Sequence, residues 1–177
     1  MNFPVDCAAY HISGFKLRVL TPEDRYRMMD VREAVMAALP DPRWYFSMED
    51  HEIDEWLAAG SVVGYLDGDV LAGFASIMPW YMRTGHAYAE ILGEEPENTY
   101  DFHDVMVQPA YRGHRMHQHF LRMFTDMARS LGGRAIYATV DPDNKPSWYN
   151  FEKAGYRCVL TQPAYDGRIR RYYKLAL

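Results

Sequence analysis

The sequence predicts an α/β (α+β) fold, a single mixed β-sheet with helices on both faces. Two observations carry this. Strand-like and helix-like runs alternate in the order β-α-α-β-β-β-α-β-α-β-β along the 177 residues. The composition, 49% hydrophobic and 15% aromatic, is that of a chain able to bury one sizeable core.

Residues 1–14 are expected to form an irregular N-terminal arm, and residues 15–177 one domain. Residues 15–20 (FKLRVL) alternate as a first strand. Thr21-Pro22-Glu23-Asp24 starts a helix with a hydroxyl cap, a proline in its first turn and acids behind it; Pro40-Asp41-Pro42 stops it. A second helix covers 49–59 and ends at Gly60. Residues 61–66 and 70–78 read as strands around Asp67-Gly68-Asp69, a strong hairpin signal. The segment 79–100 is rich in aromatics and acids and has no clear period, which suits a functional loop. Residues 101–107 (DFHDVMV) form a strand that Pro109 ends, since proline cannot donate to a ladder. Met116, Phe120, Met123, Phe124, Met127 and Leu131 then recur at helical spacing. A strand at 134–140, a short helix at 145–154 and a strand pair at 156–161 and 168–177 complete the chain.

Composition also sets bounds on function. A net charge of −5 argues against nucleic acid as a partner, because phosphate-backbone binding needs a broad basic surface. No apolar run approaches a membrane span and no signal peptide is indicated. Two cysteines, Cys7 and Cys158, without ligand spacing, fit a reducing cytoplasm and neither a disulfide framework nor a zinc site. His86, His114, His117 and His119 show no metal-ligand pattern, so metal independence is expected.

The most informative stretch is VQPAYRGHRMH, residues 107–117. Its hinge, Arg112-Gly113-His114-Arg115, opens a helix. Amides at a helix N-terminus lack intrahelical acceptors and the macrodipole is positive there, so a phosphate binds readily. The two arginines add full charges. A local positive spot on an acidic chain suits a small phosphorylated ligand better than a polyanion.

The element order and three motifs resemble the GNAT superfamily, the acyl-CoA-dependent N-acyltransferases, over roughly residues 15–177. Val107, Pro109, Tyr111, Arg112 and Gly113 match its strand-loop-helix pattern V-x-P-x-[YF]-[RQ]-G-x-G-x-[GA]. Asn144-Lys145-Pro146-Ser147 followed by Phe151-Glu152-Lys153-Ala154-Gly155-Tyr156 is similar to N-x-x-[AS]-x-x-x-Y-E-K-x-G-F. More loosely, Val70-Leu71-Ala72-Gly73-Phe74-Ala75 looks like the family's third strand. The resemblance implies a mostly antiparallel sheet whose fourth and fifth strands splay. It implies acetyl-CoA as co-substrate, its pyrophosphate wrapped by Arg112, Gly113, His114, Arg115, Met116 and His117. The pantetheine arm would pair with main-chain groups near Met106 and Val107 and with the Asn144 side chain; Ser147 and Phe151 belong to the same side.

Two departures from the family pattern stand out. Arg115 and His117 replace small hinge residues, so Arg115 must take ordinary helical angles or swing its side chain outward. Phe151 stands where the family often has a tyrosine that protonates the departing thiolate, and Tyr149 lies about 200° round the helix. Thiolate can leave unassisted, with a pKa near 8.5. The attacking amine needs a base, and Asp101, Asp104 and His103 are the candidates on the central strand. Strand alternation puts Asp101 and His103 on one face and Asp104 on the other. Trp44, Tyr45, Phe46, Trp80, Tyr81 and Tyr88, with Glu90, Glu94 and Glu95, would suit a cationic amine. The expected function is acetyl transfer to a primary amine, on a small molecule, by direct attack in a ternary complex. A catalytically weak acyl-CoA-binding or sensing module and a protein N-terminal or lysine acetyltransferase are the alternatives; a homodimer is left open.

Overall fold

The computed structural model describes residues 1–46, 49–82 and 87–177. His86 therefore lies outside the described residues. Seven strands form one sheet in the order β1-β2-β3-β4-β5-β7-β6: β1 Lys16–Val19, β2 Val62–Asp67, β3 Val70–Pro79, β4 Thr99–Val107, β5 Ala135–Val140, β6 Arg157–Ala164 and β7 Arg168–Ala176. Every neighbouring pair is antiparallel except β4 and β5. The helices are α1 Arg25–Ala37, α2 Asp50–Ala58, α3 Tyr88–Ile91, α4 Met116–Ser130 and α5 Lys145–Lys153. Among the described residues no helix is long and apolar enough to cross a membrane.

Local chemistry accounts for the elements. Strand β3 is buried from Leu71 to its end, the pattern of a strand covered on both faces. One cover is α4, whose Phe120, Leu121, Met123, Phe124 and Met127 are buried at three- and four-residue steps. The other is α1 and α2, which lay Met28, Val31, Ile53 and Leu57 on the opposite face. Thr21 and Asp24 cap the first helical turn reciprocally, and Arg18 grips the buried Asp24 with two hydrogen bonds of 2.6 Å. The arm is irregular apart from one turn at Ala8–Tyr10, yet it packs: Phe3 meets Phe124, and the Tyr10 hydroxyl donates to Asp126. The segment 79–100 carries the short helix α3, which its aperiodic composition did not predict.

Two features of β4 open the sheet on one side and bend it on the other. Its parallel ladder with β5 runs only from Thr99↔Ala135 to Phe102↔Ala138. Beyond Phe102 the strands splay, so among the described residues β4 residues 104–107 have no ladder partner on β5. On the other edge the register with β3 shifts: Ala75 faces Val105 but Ile77 faces Phe102, so two β4 residues stand opposite the single Ser76. This bulge sits at His103 and Asp104. Gly73 lets β3 approach the far end of β4 closely, because a Cβ there would meet the Met106 carbonyl oxygen at 2.8 Å.

Candidate active site

Two cavities meet at the splay. The larger, about 630 Å³, lies over the hinge and is lined by Val107, Arg112, Gly113, Arg115, Met116 and His117. The smaller, about 330 Å³, is lined by aromatics and by Glu52, His103 and Asp104. Met106, Asn144 and Ser147 line both, so the cavities share a wall at the end of β4.

The hinge leaves a run of amides open. Among the described residues, no main-chain acceptor takes the N–H of residues 113 to 118. Gly113 has φ +95°, closed to L side chains, which explains why the turn needs glycine there. Arg115 does not take ordinary helical angles: it is left-handed, with φ 60° and ψ 20°, at the N-cap of α4, and it is exposed. The backbone thus keeps the conformation a glycine would supply, and arginine tolerates it at a cost of about 1–2 kcal/mol. His114 is exposed and turns away, its ring against Phe15 at 5.0 Å, and it lines neither cavity. His117 faces inward between Phe102 and Phe151, and burial holds its imidazole down to about 3, hence neutral.

At the junction, Asn144 caps α5 by accepting the Ser147 N–H at 3.2 Å. Phe151 is buried and meets Phe102, His117 and Tyr156 edge-on, so it serves as an aromatic hub as well as a wall of the smaller cavity. Tyr149 is exposed and lines neither cavity.

The three acid–base candidates separate. Asp101 is buried and accepts the Tyr88 N–H at 3.1 Å, holding α3 against the sheet, and it lines neither cavity. His103 and Asp104 both line the smaller cavity. Strict alternation put them on opposite faces; the bulge between β3 and β4 breaks that alternation and brings them together. The His103 ring packs on Trp56 at 4.9 Å. Burial and the neighbouring Glu52 push the Asp104 carboxyl up to about 7, with Arg32 opposing.

The aromatic wall is partly the expected one. Trp44, Tyr45, Phe46 and Tyr88 line the cavity, while Trp80 and Tyr81 are exposed elsewhere. Its acid is Glu52 and not Glu90, Glu94 or Glu95; Glu94 pairs with Lys174 and Tyr137. Glu52 escaped notice because a glutamate in a first helical turn reads as a cap, and it does accept the Glu49 N–H at 2.9 Å. Tyr165, at the tip of the β6–β7 hairpin, was also missed. Its ring stacks on Phe46 at 4.3 Å, and its hydroxyl meets those of Tyr88 at 2.8 Å and Thr139 at 2.7 Å. Only its Tyr-Asp-Gly turn marked the place.

A sheet opened at one parallel pair thus sets a helix start with open amides beside an acid-lined pocket. Comparison with known proteins gives the class. Residues 28–156 match the acetyltransferase (GNAT) family, and the chain belongs to it. It is 30% identical over 114 residues, 64% of its length, to the N-alpha-acetyltransferase RimI of Mycobacterium tuberculosis. It is 28% identical over 146 residues, 82% of its length, to an uncharacterised protein of Mycobacterium leprae. The chain spans 58% of the first relative and 35% of the second. The structure of yncA from Salmonella typhimurium with its cofactor acetyl-CoA superposes with a TM-score of 0.65 at 20% identity, covering 93% of this chain and 94% of that one. At that identity the likeness speaks for the fold.

Proposed function

We propose that this chain transfers an acetyl group from acetyl-CoA to an amine, on a small molecule, with both bound at once. The observation that carries this reading is the shared wall: a cavity over free hinge amides meets, at Met106, a pocket holding a carboxyl poised near neutrality. The hinge fits the donor on its own terms, since unpaired amides, the left-handed turn and two arginines converge on the larger cavity. Amides 113–118, Arg112 and Arg115 would hold the pyrophosphate. Asn144, Ser147 and the main chain at Met106 and Val107 would hold the arm that joins it to the thioester. When bound, acetyl-CoA supplies an acyl carbon activated as a thioester.

The chain's own groups supply the rest. Ionised Asp104 accepts the proton an ammonium must lose before it attacks, and a carboxyl with a pKa of about 7 does so near neutral pH. His103 beside it is the second candidate for that transfer. A β5-facing N–H of β4 within residues 104–107, beyond the ladder with β5, stabilises negative charge developing on the acyl oxygen; one such donor is typically worth about 3 kcal/mol of barrier. Phe151 can donate no proton, so the thiolate leaves without help from that position. The free, exposed Cys7 and Cys158 support a reducing compartment, the cytoplasm.

The test is a melting curve with and without acetyl-CoA or CoA, followed by thiol release with a panel of amines. Acetyl-CoA at 100 times its dissociation constant should stabilise the fold by about 2.7 kcal/mol. Gly113→Val should abolish most of that shift, because valine cannot adopt φ +95°. No shift with either ligand would refute donor binding; a shift without thiol release for any amine would leave a sensing module. The similarity to an N-alpha-acetyltransferase favours a second acceptor class, a protein N-terminus, which the same panel should include as peptides.

A further inference from the structure

Arg170 is buried beside the smaller cavity, and its ion-pair partner, Asp141, stands too far off to accept a hydrogen bond from it. Arg170 is 3% exposed and lines that cavity. Five other arginines sit directly on a carboxylate among the described residues: Arg18 on Asp24 at 2.6 Å, Arg43 on Asp41 at 2.6 Å, Arg168 on Asp166 at 2.6 Å, Arg25 on Asp54 at 2.8 Å and Arg27 on Asp24 at 3.1 Å. Arg170 has Asp141 at 3.8 Å, beyond hydrogen-bond reach. Its Nη1 donates to the Trp44 carbonyl at 3.0 Å and its Nη2 to that of Arg43 at 3.5 Å, both neutral acceptors. Its Nε is buried with no hydrogen-bond partner among the described residues.

A guanidinium carries five donors in a planar fork and keeps its charge. Asp141 offsets part of the charge but accepts no hydrogen bond, so the buried fork keeps one donor unmatched, an unfavourable arrangement that an anion in the cavity would complete. The opposite demand comes from Asp104 and Glu52 in the same cavity, which call for a cation. One pocket thus carries an acidic and a basic recognition element. Its volume, about 330 Å³, lies at the small end of ligand pockets, roughly 300–1,000 Å³. Aromatic side chains, Trp44, Tyr45, Phe46 and Tyr88 among them, line the same cavity.

We infer that the acceptor is a small zwitterion of the amino-acid type, its amine directed to the Asp104–Glu52 side and its carboxylate received by Arg170. This assignment rests on the reading of the chain as an amine acetyltransferase. It separates the two acceptor classes above, because a protein N-terminus carries its α-carboxyl as an amide and offers Arg170 no anion. The Phe46–Tyr165 stack leaves an apolar side for the substituent and sets the Tyr165 ring 5.9 Å from the Arg170 guanidinium carbon.

The experiment uses the full chain with acetyl-CoA and matched pairs of acceptors: the twenty amino acids and their α-amides, with short peptides as a third arm. Loss of the carboxylate lowers the amine's pKa and by itself favours the amide, so a preference for the acid reports recognition of the anion. At least one free amino acid should exceed its amide in kcat/KM by about 30-fold or more, the loss typical when one member of a buried charge pair is removed. Arg170→Gln should bring that ratio towards 1, and Arg170→Lys should leave an intermediate ratio.

Equal losses on acid and amide in both variants would overturn the assignment and leave Arg170 as a pin for the turn at Arg43 and Trp44. Amides or peptides matching the acids in the unmutated chain would overturn it too. Where no acceptor releases thiol, melting curves with each pair in the presence of CoA decide independently: stabilisation by an acid and not its amide supports the anion site, and none by any acid refutes it. Failure of the acetyl-transfer reading therefore shows as absent thiol release, separately from the fate of Arg170.

Discussion

Replacing Asp104 by asparagine separates what the carboxyl does for the reaction from what it costs the fold. In the folded chain this carboxyl titrates at about 7, against 3.8 for an exposed aspartate. That is about three pKa units, and at 1.36 kcal/mol each the ionised form destabilises the fold by up to about 4 kcal/mol. The sign follows from the raised pKa. Below about pH 4 the carboxyl is protonated folded and unfolded, and the cost is absent; as pH rises through about 7, the stability is lost. Asparagine never ionises, so it escapes that loss, although its buried amide returns about 1–2 kcal/mol. The variant should therefore be more stable than the parent by about 2 kcal/mol at pH 8, several degrees in melting temperature for a chain this size, and no more stable at pH 4. Acetyl transfer should fall about 100-fold or more, with CoA affinity nearly intact. The parent's kcat/KM should rise with pH and level off above about 7, an inflection the variant lacks. Melting curves at the two pH values and a pH–rate profile measure both sides. A variant that keeps full rate and shows no pH-dependent gain in stability would refute the assignment of base and burial together.

The same geometry sets three further expectations. Asp24 is held by Arg18 and Arg27, which with the Thr21 amide bring its carboxyl down to about 2; its stabilisation is present above about pH 4 and lost as pH falls through about 2. Asp24→Asn should cost about 3 kcal/mol at pH 7, read by urea melts, with the difference closing at acid pH. Phe151→Ala should cost about 3–5 kcal/mol, since it empties the space that Phe102, His117 and Tyr156 share. Tyr165→Phe deletes the hydroxyl that joins Tyr88 and Thr139 and should raise KM for the acceptor while leaving that for acetyl-CoA unchanged; equal effects on both would show that the hairpin serves the whole site.

The order of elements was legible because each announces itself locally: prolines and glycines punctuate it, and the α4 stripe has its own period. The hinge was legible for the same reason, since Gly113 and the start of α4 are neighbours in sequence. What escaped depends on pairing between distant segments. The side to which Asp104 points is set by one extra residue in β4 opposite Ser76, and a register shift leaves no mark on either strand alone. Tyr165 and Arg170 reach the smaller cavity because β7 runs beside β5 and the hairpin folds back on Phe46, a juxtaposition of chain ends about which spacing is silent. Arg115 was expected to take ordinary helical angles or swing its side chain outward; the turn keeps its left-handed shape and the arginine is exposed.

That left-handed arginine has a consequence for anyone selecting variants of this chain. Glycine or asparagine at 115 would relieve the turn and raise heat tolerance by a small increment, leaving the core packing as it is. A screen that rewards survival at high temperature should therefore enrich them, and each enriched clone would have discarded a charge beside the donor cavity. Heat-tolerant survivors that have changed residue 115 should need more acetyl-CoA to reach half their maximal rate. Robustness and donor affinity would then drift apart at a single codon.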